Sequence, residues 1–142
     1  MISPQNLLPA LPDALPESQP TNENQVILVV EDSRDTAEML GLFLESQGYR
    51  IVIAYDGEQA VKISLLEPPH LVIMDLGLPE LNGLDASMEI RRRNPDGGTR
   101  FIALSGYDDR ETVNRCMDFG FDAHITKPAD PKKLLELIRS LI

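Results

Sequence analysis

The run Leu71-Val72-Ile73-Met74 is apolar at every position and ends on an acid, Asp75, before a loop through Gly77, Pro79 and Gly83. Consecutive apolar residues bounded by turn formers describe a strand buried on both faces, as in a parallel sheet covered by helices. The same unit recurs in both directions. Upstream, Val26-Ile27-Leu28-Val29-Val30 runs into Glu31-Asp32, and Thr36, Met39, Leu40, Phe43 and Leu44 then fall at helical spacing between Ser33, placed to cap the start, and Gly48, placed to end it. Arg50-Ile51-Val52-Ile53-Ala54 is the next strand, and Asp56-Gly57 opens a helix that turns Ala60, Val61 and Leu65 inward and stops at Pro68-Pro69. Downstream, a helix from about Leu84 to Arg93 leads through Asn94-Pro95-Asp96-Gly97-Gly98 to the strand Phe101-Ile102-Ala103-Leu104, with Ser105 at its end. A helix from Asp109 to Phe119, the short strand Ala123-His124-Ile125-Thr126, the pair Lys127-Pro128 and a helix carrying Leu134, Leu135, Leu137, Ile138 and Leu141 complete the pattern. Alternating strands and helices predict an α/β fold: a five-stranded parallel sheet, doubly wound, in three layers αβα.

The chain has 142 residues, 42% of them hydrophobic, which suits one domain with one core. Residues 1–24 hold five prolines, no glycine and no basic side chain, and are expected to be a disordered tail or linker ahead of a domain at 25–142. A formal net charge of −10 argues against a nucleic-acid surface, because only Arg91, Arg92 and Arg93 run together and a helix spreads them around its circumference. The prolines near the N-terminus fit neither a signal peptide nor a membrane-spanning helix, and the single Cys116 cannot form an internal disulfide. These features predict a cytoplasmic protein with Cys116 as a buried apolar residue.

In open parallel sheets, ligands bind beyond the carboxyl ends of the strands. The residues delivered there are Glu31 and Asp32 after the first strand, Asp75 after the third, Ser105 after the fourth and Lys127 after the fifth. Three carboxylates on one rim repel one another unless a cation intervenes, and Mg²⁺ (or Mn²⁺) suits hard oxygen ligands. With Mg²⁺ and Lys127 the charges cancel, leaving a site ready for an incoming dianion. Phosphoryl transfer needs mainly positioning and charge stabilisation, so Asp75 is the candidate nucleophile. Asp56, Asp85, Asp108 and Asp109 are read as turn or cap residues, and His70 is given no role.

Glu31-Asp32, Asp75, Ser105-Gly106 and Lys127-Pro128, taken in order, resemble the signature set of the response-regulator receiver family over residues 25–142. The resemblance implies a flavodoxin-like fold with strand order 2-1-3-4-5. It implies Mg²⁺ held by Glu31, Asp32, Asp75 and the Gly77 backbone carbonyl, and phosphorylation of Asp75. Ser105 and Lys127 would contact the phosphoryl group, Lys127-Pro128 would be cis, consistent with proline in a tight functional turn, and Gly83 would be structural. Two positions depart from the commonest pattern. His124 stands where Tyr or Phe usually couples to the strand-four hydroxyl, so the switch pair here is Ser105 and His124. Gly77 replaces a longer side chain and leaves room for water. The stretch Gly120-Phe121-Asp122-Ala123-His124 resembles receivers found at the C-terminal end of hybrid histidine kinases.

The implied function is a signalling switch, not an enzyme acting on other substrates. A histidine kinase or histidine phosphotransfer protein would supply the phosphoryl group, and the face made by helix four, strand five and helix five would bind a downstream protein. The signal would leave by that contact, by homodimer formation or by onward phosphoryl transfer. A dehalogenase-type phosphatase would need a second acid at Gly77, where the sequence reads Asp75-Leu76-Gly77, and a nucleotide-binding module would need a glycine-rich loop after the first strand. The phosphatase stands as the lesser alternative, beside a receiver-like platform that binds proteins without phosphorylation.

Overall fold

The computed structural model describes residues 24–78, 82–95, 97–107 and 109–142. The expected tail, apart from Asn24, lies outside these residues, as do Pro79, Asp96 and Asp108. The element order is β1 (Val26–Val30), α1 (Arg34–Ser46), β2 (Arg50–Ala54), α2 (Gly57–Leu66), β3 (Leu71–Asp75), α3 (Gly83–Arg93), β4 (Arg100–Ser105), α4 (Arg110–Asp118), β5 (Ala123–Thr126) and α5 (Pro131–Leu141). All pairings are parallel and the strand order is β2-β1-β3-β4-β5, as the sequence predicts.

Strand alternation divides the core into two layers. Ile27, Val29, Leu71, Ile73, Ile102 and Leu104 face α1 and α5, where Leu44, Leu134 and Ile138 meet them. Leu28, Val30, Val72, Met74, Phe101 and Ala103 face α2, α3 and α4, where Ala60, Val61, Leu84, Ile90 and Cys116 meet them. Side-chain caps start the helices as the sequence indicates: Ser33 accepts from Thr36 N, Asp56 from Gln59 N and Asp109 from Thr112 N. Asn82 caps α3, so Asp85 sits in its first turn. Gly48 follows α1 with φ 97°, the left-handed conformation that glycine adopts without strain.

One inward assignment needs correction: Leu65 is 44% exposed. Of the residues at helical spacing in α1, Thr36 and Met39 face solvent, while Leu44 is buried and Leu40 and Phe43 pack against the core. The buried line of α1 is Ala37, Gly41 and Leu44, and that of α2 includes Ala60, Val61 and Ser64. These helices approach the sheet closely through small residues: a Cβ at Gly41 would lie 3.2 Å from Ile53 Cδ1. The buried Ser64 hydroxyl satisfies itself by donating to Val61 O at 2.7 Å.

The register sets the height of each strand end. Val30 pairs with Met74, Asp75 with Leu104, and Ser105 with Thr126. Glu31 therefore stands level with Asp75, while Ser105 and Lys127 follow one and two steps higher. The ladder continues past the strands, with Leu76 N donating to Leu104 O and Lys127 N to Ser105 O at 2.7 Å. Gly83 packs α3 beneath this rim, where an added Cβ would lie 2.6 Å from Asp75 O. Gly83→Ala is therefore expected to lower stability by about 1–3 kcal/mol through overpacking. Gly98→Ala, with nothing within 4 Å of the added Cβ, is expected to change little. Urea midpoints of the two variants check the contrast.

Candidate functional site

At the carboxyl edge of the sheet, Asp75 is 4% exposed and both of its carboxylate oxygens are engaged. Oδ1 accepts the Gly77 N–H at 2.9 Å, and Oδ2 lies 3.0 Å from Lys127 Nζ. The same ammonium lies 3.1 Å from Glu31 Oε1, so one lysine spans two buried acids. Lys127 reaches both because it leaves β5 above them and its long side chain folds back over the rim. The Lys127-Pro128 bond is cis.

Glu31 is 1% exposed, and its Oε2 accepts the Ser33 N–H at 3.1 Å. Among the described residues, Oε1 has the Lys127 charge nearby but no well-directed hydrogen bond. Burial pushes the Glu31 carboxyl above its ordinary value; the Ser33 N–H and Lys127 draw it down, while the charge of Asp75 and the contact with Asp32 add to the rise. For Lys127, burial disfavours the ammonium, but its ion-pair contacts with Asp75 and Glu31 outweigh it and hold the group above its usual value.

Glu31, Asp32 and Asp75 each offer a carboxylate oxygen, all within 4.8 Å of one another. One ammonium leaves this trio under-neutralised, and a buried carboxylate oxygen lacks a directed donor. That is the electrostatic demand of a hard divalent cation, and the donor set fits Mg²⁺.

Ser105 lies 5% exposed at the end of β4 and shares with Asp32, Asp75, Gly77 and Lys127 a cavity of about 570 Å³. Its Oγ approaches Tyr107 O at 2.6 Å and His124 Nε2 at 2.8 Å. The structure thus brings together Glu31, Asp32, Asp75, Gly77, Ser105, Lys127 and His124. A larger cleft of about 860 Å³ lies against Met88, Arg92 and Phe119, away from the acidic cluster. Sequence reading passed over Tyr107, Asn82, Thr112 and Arg115, which also line the rim cavity. Thr112 and Arg115 stand three residues apart on α4, a one-face spacing that was the available signal. His70 also has a partner: its Nδ1 accepts the Val26 N–H at 3.0 Å and ties the start of β1 to the loop before β3.

The structure is thus a doubly wound α/β sheet with an acidic, lysine-bridged rim at its carboxyl edge. The chain belongs to the family described as response regulator receiver domain, whose sequence model matches residues 27–139. It is 34% identical over 116 residues to the response regulator ArlR of Staphylococcus saprophyticus, covering 82% of this chain and 51% of that protein. The chain spans about half the length of the curated relatives it matches. Its fold is shared with the Vibrio cholerae chemotaxis protein CheY4, with TM-score 0.78, 22% identity, and coverage of 83% of this chain and 98% of that one. A Saccharomyces cerevisiae co-crystal structure of the histidine phosphotransfer signaling protein Ypd1 and the receiver domain of Ssk1 matches with TM-score 0.78 and 26% identity, over 82% of this chain and 88% of that one. The chain is thus a receiver module of two-component signalling. Among the described residues no helix is long and apolar enough to cross a membrane.

Because burial makes the Glu31 charge costly in the fold, Glu31→Gln keeps an acceptor for Ser33 N–H and removes that charge. The variant is expected to raise the urea midpoint of the metal-free protein at neutral pH, with wild type measured in parallel in the presence of a chelator.

Proposed function

We propose that the chain, as a unit over 25–142 preceded by a linker, receives a phosphoryl group on Asp75 from a phosphohistidine of a histidine kinase or a histidine phosphotransfer protein. One observation carries the reading: Asp75 is a buried strand-end carboxylate with Lys127 on one oxygen and the Gly77 N–H on the other, facing a cavity shared with Ser105. A carboxylate oxygen of Asp75 attacks phosphorus in line; the phosphorus–nitrogen bond of the donor breaks, and the imidazole leaves with the bonding electron pair. Lys127 holds the carboxylate and offers its ammonium to the phosphoryl oxygens, and the Ser105 hydroxyl donates to another of them. Glu31, Asp32, Asp75 and the Gly77 carbonyl would hold Mg²⁺ or Mn²⁺, which supplies neutralisation of the charge that builds on the phosphoryl oxygens.

The co-crystal of a histidine phosphotransfer protein with the yeast receiver supports a donor of that class. The phosphorylated state would differ in the loop after Ser105 and hence in α4, β5 and α5, where a downstream protein or a second copy of the chain binds; such a switch requires the partner to distinguish the two states. We place this exchange in the cytoplasm, where such donors act.

Incubation with a small phosphodonor is expected to add one phosphoryl mass in the presence of Mg²⁺, and none to Asp75→Asn, as read by intact mass. Folded wild type that gains no mass would turn the reading to a platform that binds proteins without phosphorylation. Separately, Mg²⁺ is expected to raise the thermal midpoint of wild type and to do so much less in Asp32→Asn, because a ligand that binds only the folded state stabilises it by mass action.

A further inference from the structure

Ser105 Oγ stands at the centre of a small polar network. It lies 2.6 Å from Tyr107 O, 2.8 Å from His124 Nε2 and 3.2 Å from Tyr107 N. A hydroxyl carries one proton and a backbone carbonyl carries none, so the contact with Tyr107 O uses the Ser105 proton. The His124 contact must then draw its proton from the imidazole, since otherwise two lone pairs would face each other at 2.8 Å. The register brings the two side chains within reach: β4 and β5 pair Ala103 with His124 and Ser105 with Thr126, so His124 sits two residues behind Ser105 on the adjacent strand.

We infer that His124 is a positioning residue for the phosphoacceptor site, donating its Nε2–H to Ser105 Oγ and so directing the single Ser105 proton to Tyr107 O at rest and to a phosphoryl oxygen once Asp75 is loaded. This rests on the reading of Asp75 as phosphoacceptor and deepens it. The exchange of acceptors frees the Tyr107 carbonyl in the segment that leads into α4. A hydroxyl that already accepts an N–H is a stronger donor, because hydrogen bonds in a chain polarise one another. The imidazole thus strengthens the Ser105–phosphoryl contact without touching phosphorus. A phenyl ring at this position would fill similar space and bring no N–H.

Two measurements test this. Correlations between ring nitrogens and ring protons in the ¹⁵N-labelled full chain, assigned through the ring to the His124 backbone, are expected to show a proton on Nε2; a ring protonated on Nδ1 alone would overturn the inference. This readout needs neither a variant nor phosphorylation. In the second, His124→Phe is expected to slow Mg²⁺-dependent phosphorylation by a small donor about two- to ten-fold, the worth of one hydrogen bond. His124→Gln, which restores an N–H donor, is expected to stay within about two-fold of wild type. Equal rates in wild type and His124→Phe, or equal losses in both variants, would show that the N–H is not what acts. Wild type that takes up no phosphoryl group would instead count against the phosphoacceptor reading, and the ring spectrum would still decide how His124 holds Ser105.

Discussion

One ammonium between two buried carboxylates is the contact on which this structure turns. Parallel strands all end on the same edge, so an acid after β1 and an acid after β3 meet whether or not their charges favour it. Lys127, brought in by β5 at 3.0 Å from Asp75 and 3.1 Å from Glu31, makes that meeting tolerable. It does not make it neutral. Burial, with the charge of Asp75 adding to it, holds the Glu31 carboxyl above its ordinary value, and one of its oxygens lacks a directed donor, so its charge remains costly at the rim. Two apolar layers, packed on both faces of the sheet, supply the stability that lets the rim remain in this state.

The sequence makes the fold and the centre of the site legible for the same reason. Fully apolar runs such as Val26–Val30 and Leu71–Met74 admit few readings other than central strands, and a strand that ends on a charged residue places that residue on the rim. Asp75, Ser105 and Lys127 are thus located by strand ends alone. Helix faces are less legible. A search for large apolar side chains finds Leu44 on the core side of α1 but also selects Met39 on the solvent side, and it misses Ala37 and Gly41, the latter held to a small residue by the close approach of Ile53.

The outer half of the site is illegible for a further reason. Tyr107 bonds to Ser105 through its backbone, and any residue there could present the same carbonyl and amide. Thr112 and Arg115 reach the cavity through the rotation of α4 about its own axis, which strand patterns do not constrain. The sequence marks His124 as unusual for its position, but its bond to Ser105 also needs the stagger between β4 and β5, which neither residue reveals by itself.

On the proposed function, how the rim reaches the surface follows from which helix is least held. In α3, Leu84, Ala86, Ser87 and Ile90 are buried, whereas in α4 Cys116 alone is buried among the described residues. The far end of α4 is fastened differently: Arg91, stacked 4.3 Å above the Phe101 ring, donates to Phe119 O at 2.6 Å and to Gly120 O at 2.8 Å. Gly120 has φ 86°, and its missing Cβ leaves the space that the Arg91 guanidinium fills. The near end is capped by Asp109 on exposed ground, a few residues after Ser105. A helix clasped at its C-terminus, lightly buried along its length and joined at its N-terminus to the Ser105 loop has the least packing to oppose a change in that loop. On the proposed function, the single-residue core contact of α4 is therefore a working feature: a better-packed helix would hold its place while Ser105 changed partners, and the rim would have no way to report its charge to the surface.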